Sequence, residues 1–121
     1  MDNPKTGTDL LMLDFQLAME RVGGDEDLLK EIARLFLDEY PDSLRKLEVA
    51  IASQNPKQVE HEAHTLKGAI ANFGAPQATN AALELEQMGR NNDLSQAVPS
   101  FQRLKNALSG LDSELQTLAN Q

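Results

Sequence analysis

The chain contains no cysteine. Disulfides, thiolate catalysis and cysteine-ligated zinc are therefore excluded. Positive charge is scarce as well: 11 Lys and Arg stand against 19 Asp and Glu, a formal net charge of −8 with a pI of about 4.6. Nucleic-acid binders need cations to displace counterions from phosphates, and anionic membrane surfaces attract cations, so this balance argues against both partners. Aromatic residues make up only 4% of the chain, so Leu, Ile, Val and Ala must supply most of the core. No apolar run approaches membrane-spanning length and no signal peptide is visible, so a cytoplasmic location is expected. No strand-like alternation or internal repeat is present. There is no GxxxxGK[ST] loop or other glycine-rich phosphate cradle, so autonomous kinase activity is not expected.

What is present is helical. The 121 residues suit one domain, and 40% of them are apolar. Residues 1–9 read as a loose polar tail and residues 10–121 as a single domain of five helical segments. The first is short, capped by Asp14 and stopped by Gly23 and Gly24, with Phe15, Ala18, Met19 and Val22 on one face. The second runs from about Asp25 to Ser53, with Leu28, Ile32, Leu35, Phe36, Leu44, Leu47 and Ile51 among its apolar positions. Pro41 should bend it. The third opens on Asn55 and Pro56, with Gln58 placed to complete a capping box. Val59, Ala63, Leu66, Ile70 and Phe73 form its stripe, and Gly74 ends it. The fourth begins near Pro76, with Ala82, Leu85 and Met88 inward, and Gly89 to Asn92 make the next turn. The fifth follows the capping sequence Asp93 to Gln96, starting there or at Pro99. Its seam is a strict heptad: Leu94, Ala97, Phe101, Leu104, Leu108, Leu111, Leu115 and Leu118. The expected fold is all-α: an antiparallel four-helix bundle with an additional short N-terminal helix.

The third helix carries an anomaly. On a wheel at 100° per residue, His64 points roughly 140° from the buried stripe. Gly68 and Ala71 share that outward face with His64 and His61. A glycine inside a helix costs about 1 kcal/mol relative to alanine. Opposite the core stripe, close helix packing offers no compensation, so the remaining reason is access to the imidazole. Lys67, three residues from His64, is its neighbour on the helix surface. A neutral imidazole is a competent nucleophile, and a nearby ammonium can offset the charge of a phosphoryl group placed on it. A metal site is not expected. His61 and His64 are three apart, whereas zincins place histidines four apart around a glutamate and di-iron bundles use two Glu-x-x-His units.

The stretch AHTLKGAIANFGA, Ala63 to Ala75, resembles the signature of histidine-containing phosphotransfer (HPt) domains of phosphorelays. The matching positions are His64, Lys67, Gly68 and Gly74. The upstream segment also resembles the family's leading region: a short helix, a Gly-Gly-Asp turn, and a long Leu-rich helix with a central Phe and Pro. The resemblance covers the chain from about Leu10 onward. It implies that His64 accepts a phosphoryl group from the aspartyl phosphate of a receiver domain and passes it to another receiver or back. It implies charge support from Lys67, clearance at Gly68 and a docking surface including Ala71. No cofactor of its own is implied; Mg2+ belongs to the receiver, which is part of a response regulator or a hybrid sensor histidine kinase. A monomer is expected. Family members often carry a glutamine near the histidine on the following helix, a role that falls to Gln87 here. Glu86 beside it, if it faced inward, would oppose a bound phosphate. The alternative function is a non-catalytic helical adaptor that binds receiver or kinase domains.

Overall fold

Four of the five expected segments begin where a side chain or a proline can satisfy the first turn. In the computed structural model, which describes residues 12–121, they become α1 (Phe15–Arg21), α2 (Glu26–Ala52), α3 (Pro56–Ala71), α4 (Pro76–Arg90) and α5 (Ala97–Ala119). The expected tail, residues 1–9, lies outside the described residues. The side chains of Asp14, Asp25 and Asn55 accept from the amides of Leu17, Leu28 and Gln58, each supplying a helix with one of its missing acceptors. Pro56 and Pro76 occupy first-turn positions where no amide is needed. Gln58 does not close the capping box; its amide turns to Glu62 instead. The α5 helix starts at Ala97, with Pro99 in its first turn. Before it, Asp93 accepts from the Ser95 amide.

Successive long helices are joined by short turns, pack on one another, and close as α5 returns to α2. This is an antiparallel four-helix bundle with α1 laid against α2. The stripe expected on α3 is buried throughout: Val59, Ala63, Leu66 and Ile70 face the core, and Phe73 follows just beyond the helix. The α5 heptad from Ala97 to Leu118 is likewise buried, while Leu94 is half-buried. Tyr40 donates to Asp112, and Arg34 donates to the Ala119 carbonyl at 2.8 Å, tying α2 to α5. The latter gives the α5 terminus a donor that helix geometry withholds. Among the described residues, no helix is long and apolar enough to cross a membrane.

Three expectations need correction. On α2 the inward row is Leu29, Ala33, Phe36, Leu47 and Ile51, whereas Leu28 and Leu35 are exposed. Adjacent leucines at 28 and 29 permit two phases of the helical period, and packing selects the second. Phe15 is also exposed, because α1 buries only Ala18 fully. Gly89 does not open a turn: α4 continues through it to Arg90. A β-carbon on Gly89 would lie 2.5 Å from the Pro56 carbonyl oxygen and 2.5 Å from the Glu60 amide, so α3 and α4 touch backbone to backbone there. As expected, α2 is a single helix that runs through Pro41 to Ala52.

The end of α3 positions α1. Gly74 has φ +57°, the left-handed region that favours glycine. Its missing side chain is also space for α1: a β-carbon would lie 2.5 Å from Leu17 Cδ2. The Asp14 amide donates to the Phe73 carbonyl at 3.0 Å, and Glu114 accepts from the Met12 and Leu13 amides at 2.7 Å each. The entry to α1 is therefore fastened to both the α3–α4 turn and α5.

Candidate functional site

His64 sits on the outer face of α3, and its side chain is 67% exposed. One turn further on, Gly68 is exposed, and a β-carbon there would meet nothing within 4 Å. No neighbouring element requires the glycine. The surface beside the imidazole is bare, and a partner could approach it closely. Ala71, a further turn along, is half-buried and borders an open groove of about 740 Å³ between α1 and the start of α4, also lined by Leu13, Phe15, Leu17 and Pro76.

Beneath the ring lies Glu86, brought up by α4 and only 3% exposed. Its Oε2 is 3.1 Å from His64 Nδ1 and 2.8 Å from Arg90 Nη2. Its Oε1 is 2.7 Å from Lys67 Nζ, an ionic contact without the alignment of a hydrogen bond. Arg90 is held on its other side by Glu60, at 3.1 Å from Nε. Burial pushes the Glu86 pKa up, but the Lys67 ammonium at 2.7 Å and the contact from His64 outweigh it and hold the carboxyl below its ordinary value. Glu86 is thus an ionised, buried carboxylate compensated by two cations, the condition under which such burial is tolerated.

This geometry fixes the chemistry of the ring. An ionised carboxylate can only accept, so the proton in the 3.1 Å contact belongs to Nδ1. The neutral imidazole then carries its lone pair on Nε2, on a side chain that is mostly exposed. Glu86 therefore acts on the far nitrogen of the ring, away from the one left free to react. Glu86 does face inward, and it meets Nδ1 while paired with Lys67 and Arg90.

Gln87 is exposed, and among the described hydrogen bonds its side chain makes none to His64; the contact to the ring comes from the adjacent Glu86. Sequence reading missed Arg90 and Glu60. The Glu86–Arg90 spacing of four residues could have pointed to Arg90. Nothing local pairs Glu60 with a residue thirty positions away. His61 is exposed and joins no cluster; among the described residues no group of three or more His, Asp or Glu is placed to hold a metal ion.

Gly68→Leu tests the clearance. Leucine is the better helix former by about 1 kcal/mol, and the space is empty, so thermal stability should hold or rise. A receiver domain docked over His64, as the HPt resemblance implies, should bind about tenfold more weakly or worse, each factor of ten being about 1.4 kcal/mol. Titration of both proteins with a receiver domain checks this; equal affinities would remove Gly68 from the interface.

Over 79 residues, 65% of this chain, the sequence is 32% identical to the signal transduction histidine-protein kinase BarA of Shigella flexneri. It is 30% identical over the same length to the Escherichia coli K12 protein of that name. The matched part is 9% of each kinase, so this chain spans about a tenth of the curated relatives it matches. The fold superposes on the crystal structure of histidine-containing phosphotransfer protein B from Pseudomonas aeruginosa PAO1 with a TM-score of 0.83 at 21% identity, covering 90% of this chain and 95% of that one. On the HPT domain of a sensor hybrid histidine kinase from Shewanella the TM-score is 0.80 at 20% identity, covering 92% and 96%. The family model of the Hpt domain matches residues 31–114, from the second turn of α2 deep into α5 and across the whole site. With more than half its length matched, this chain belongs to the Hpt domain family.

Proposed function

We propose that this domain is a phosphorelay intermediate and that His64 is its phosphoacceptor. The observation that carries the reading is the exposed imidazole whose Nδ1 is tied down by Glu86 at 3.1 Å, beside a helix face cleared at Gly68. In the forward step, the Nε2 lone pair attacks the phosphorus of an aspartyl phosphate. The N–P bond forms, the P–O bond breaks, and the donor's carboxylate leaves as the anion. The reverse step returns the group to the same or another receiver. Such transfer asks the protein mainly for positioning and charge balance. The partner is a receiver domain, in a response regulator or a hybrid sensor histidine kinase, docked over His64, Gly68 and Ala71 with the groove beside α1 at its border. The Mg2+ required by the donor's phosphate is the receiver's own. We place the domain in the cytoplasm as a monomer.

The test is incubation with a phosphorylated receiver, followed by mapping of acid-labile phosphate by mass spectrometry. Label on the peptide containing His64 is expected; label elsewhere, or none, would sink the assignment.

Lys67 has a secondary role in this reading. At rest its ammonium contacts Glu86 at 2.7 Å, and its side chain is 25% exposed. Three residues from His64, it can turn to a phosphoryl group on the ring. Lys67→Ala should slow transfer about tenfold without abolishing it, the loss of one charge-assisted contact. Single-turnover transfer assays read this directly, and unchanged rates would take Lys67 out of the mechanism.

A further inference from the structure

Glu86 supplies more than orientation. An amide in its place could also accept a hydrogen bond from Nδ1 and hold the ring. A carboxylate does one thing an amide cannot: it stabilises a positively charged ring. Such a ring forms in this reaction. When a neutral imidazole bearing a proton on Nδ1 attacks through Nε2, both nitrogens become substituted and the product is a phosphoimidazolium cation. If that cation loses its Nδ1 proton, departure of the phosphoryl group must expel an imidazolate anion or wait for reprotonation. Whether the Nδ1 proton stays therefore decides how readily the group leaves.

The page supplies the means for keeping it. Glu86 Oε2 is 3.1 Å from Nδ1, and the carboxylate is almost wholly buried. The charged groups in contact with the ring or with this carboxylate are Lys67 on α3 and Arg90 on α4, with Glu60 on α3 reached through Arg90. Among the described residues no ion pair or hydrogen bond from α1, α2 or α5 reaches them. The two cations favour the ionised carboxylate, so it does not take the proton for itself. If Lys67 turns to the phosphoryl group, Arg90 still holds Oε2, anchored in turn by Glu60.

We propose that Glu86 keeps the Nδ1 proton on His64 in both the resting and the phosphorylated states, so that the phosphoryl group arrives and departs without proton exchange with solvent. On arrival the N–P bond forms and the donor's P–O bond breaks. On departure the N–P bond breaks and its electron pair returns to Nε2. The Nδ1 proton stays in place throughout. Glu86 is a positioning residue here, acting through the ring, and the inference rests on His64 being the phosphoacceptor.

The test uses phosphoramidate, whose P–N bond breaks with loss of ammonia as the N–P bond to His64 forms, so no receiver need be identified. Decay of the phosphoprotein is followed from about pH 6 to about pH 9 for the wild type and Glu86→Gln, alongside the ring 15N shifts. The wild type should decay at a nearly constant rate and keep its Nδ1 proton. Glu86→Gln should slow progressively as pH rises, about tenfold below the wild type at the upper end, and lose that proton, a tenfold change corresponding to one pH unit. A purely structural role would not change the slope of the pH profile, because glutamine retains the shape and an acceptor. Parallel profiles for the two proteins would overturn the proposal. If Glu86→Gln does not fold, the wild-type 15N titration decides alone: loss of the Nδ1 proton by about pH 7 overturns the proposal, and retention supports it. Failure to label His64 at all would instead strike the phosphoacceptor assignment, and this inference with it.

Discussion

His64→Gln should take up no measurable phosphate from a phosphorylated receiver, while unfolding within about 0.5 kcal/mol of the wild type, the range for surface substitutions away from special features. Both halves follow from the site. The chemical half follows from the atoms: an amide has no lone-pair nitrogen of comparable nucleophilicity, and the other histidine, His61, although one turn away on the same helix, lies outside the Glu86 network that holds the His64 ring. The structural half follows from the side chain's 67% exposure and single polar contact, which a glutamine amide can renew by donating to Glu86 Oε2. Receiver binding should survive, because the cleared face at Gly68 is untouched. A receiver that binds His64→Gln normally but cannot phosphorylate it separates chemistry from docking. If the variant still supports signalling in cells, the domain works as a helical adaptor and the nucleophile is incidental. Phosphate uptake by the variant would place the acceptor on another residue.

The fold was most legible where one apolar stripe stood alone. On α3, Val59, Ala63 and Leu66 stand between polar neighbours and Ile70 between two alanines, so only one face carried large apolar side chains to turn inward, and it did. The α5 heptad was equally unambiguous from Ala97 onward. On α2, apolar residues occur on both sides of the true seam. Leu28 and Leu35 satisfy the helical period as well as Leu29 and Ala33, and only packing against α5 and α3 distinguishes them. The outward face of His64 and the emptiness at Gly68 could be read locally, because both belong to one helix. The carboxylate under the ring could not. Glu86 was visible as a neighbour in sequence, but its sign of action depends on which ring nitrogen it meets, and that depends on how α3 and α4 cross. Arg90 and Glu60 depend on the same crossing.

That crossing is set by Gly89, and Gly89→Ala should cost about 2 kcal/mol or more, overpacking of this kind being worth about 1–3 kcal/mol and occasionally more. Helix propensity alone predicts the reverse, a gain of about 1 kcal/mol for replacing an interior glycine. The two effects compete, and contact distances decide between them. A β-carbon at 89 would sit 2.5 Å from the Pro56 oxygen, 2.5 Å from the Glu60 nitrogen and 2.9 Å from its Cα. These are backbone atoms of the first turns of α3, so no side-chain rotation can relieve the clash and the helices must separate. For a domain of this size the loss corresponds to a fall in Tm on the order of 8 °C. The same separation should lengthen the Arg90–Glu60 contact of 3.1 Å and lift Glu86 from the ring, so phosphate uptake should fall together with stability. Gly68→Leu is the internal control, since it lies in the same pair of helices but points into empty space and should move stability the other way. Thermal unfolding of both variants reads this difference. If Gly89→Ala melts at or above the wild-type temperature, the backbone contact does not hold α3 and α4 together, and the placement of Glu86 under His64 loses its structural cause.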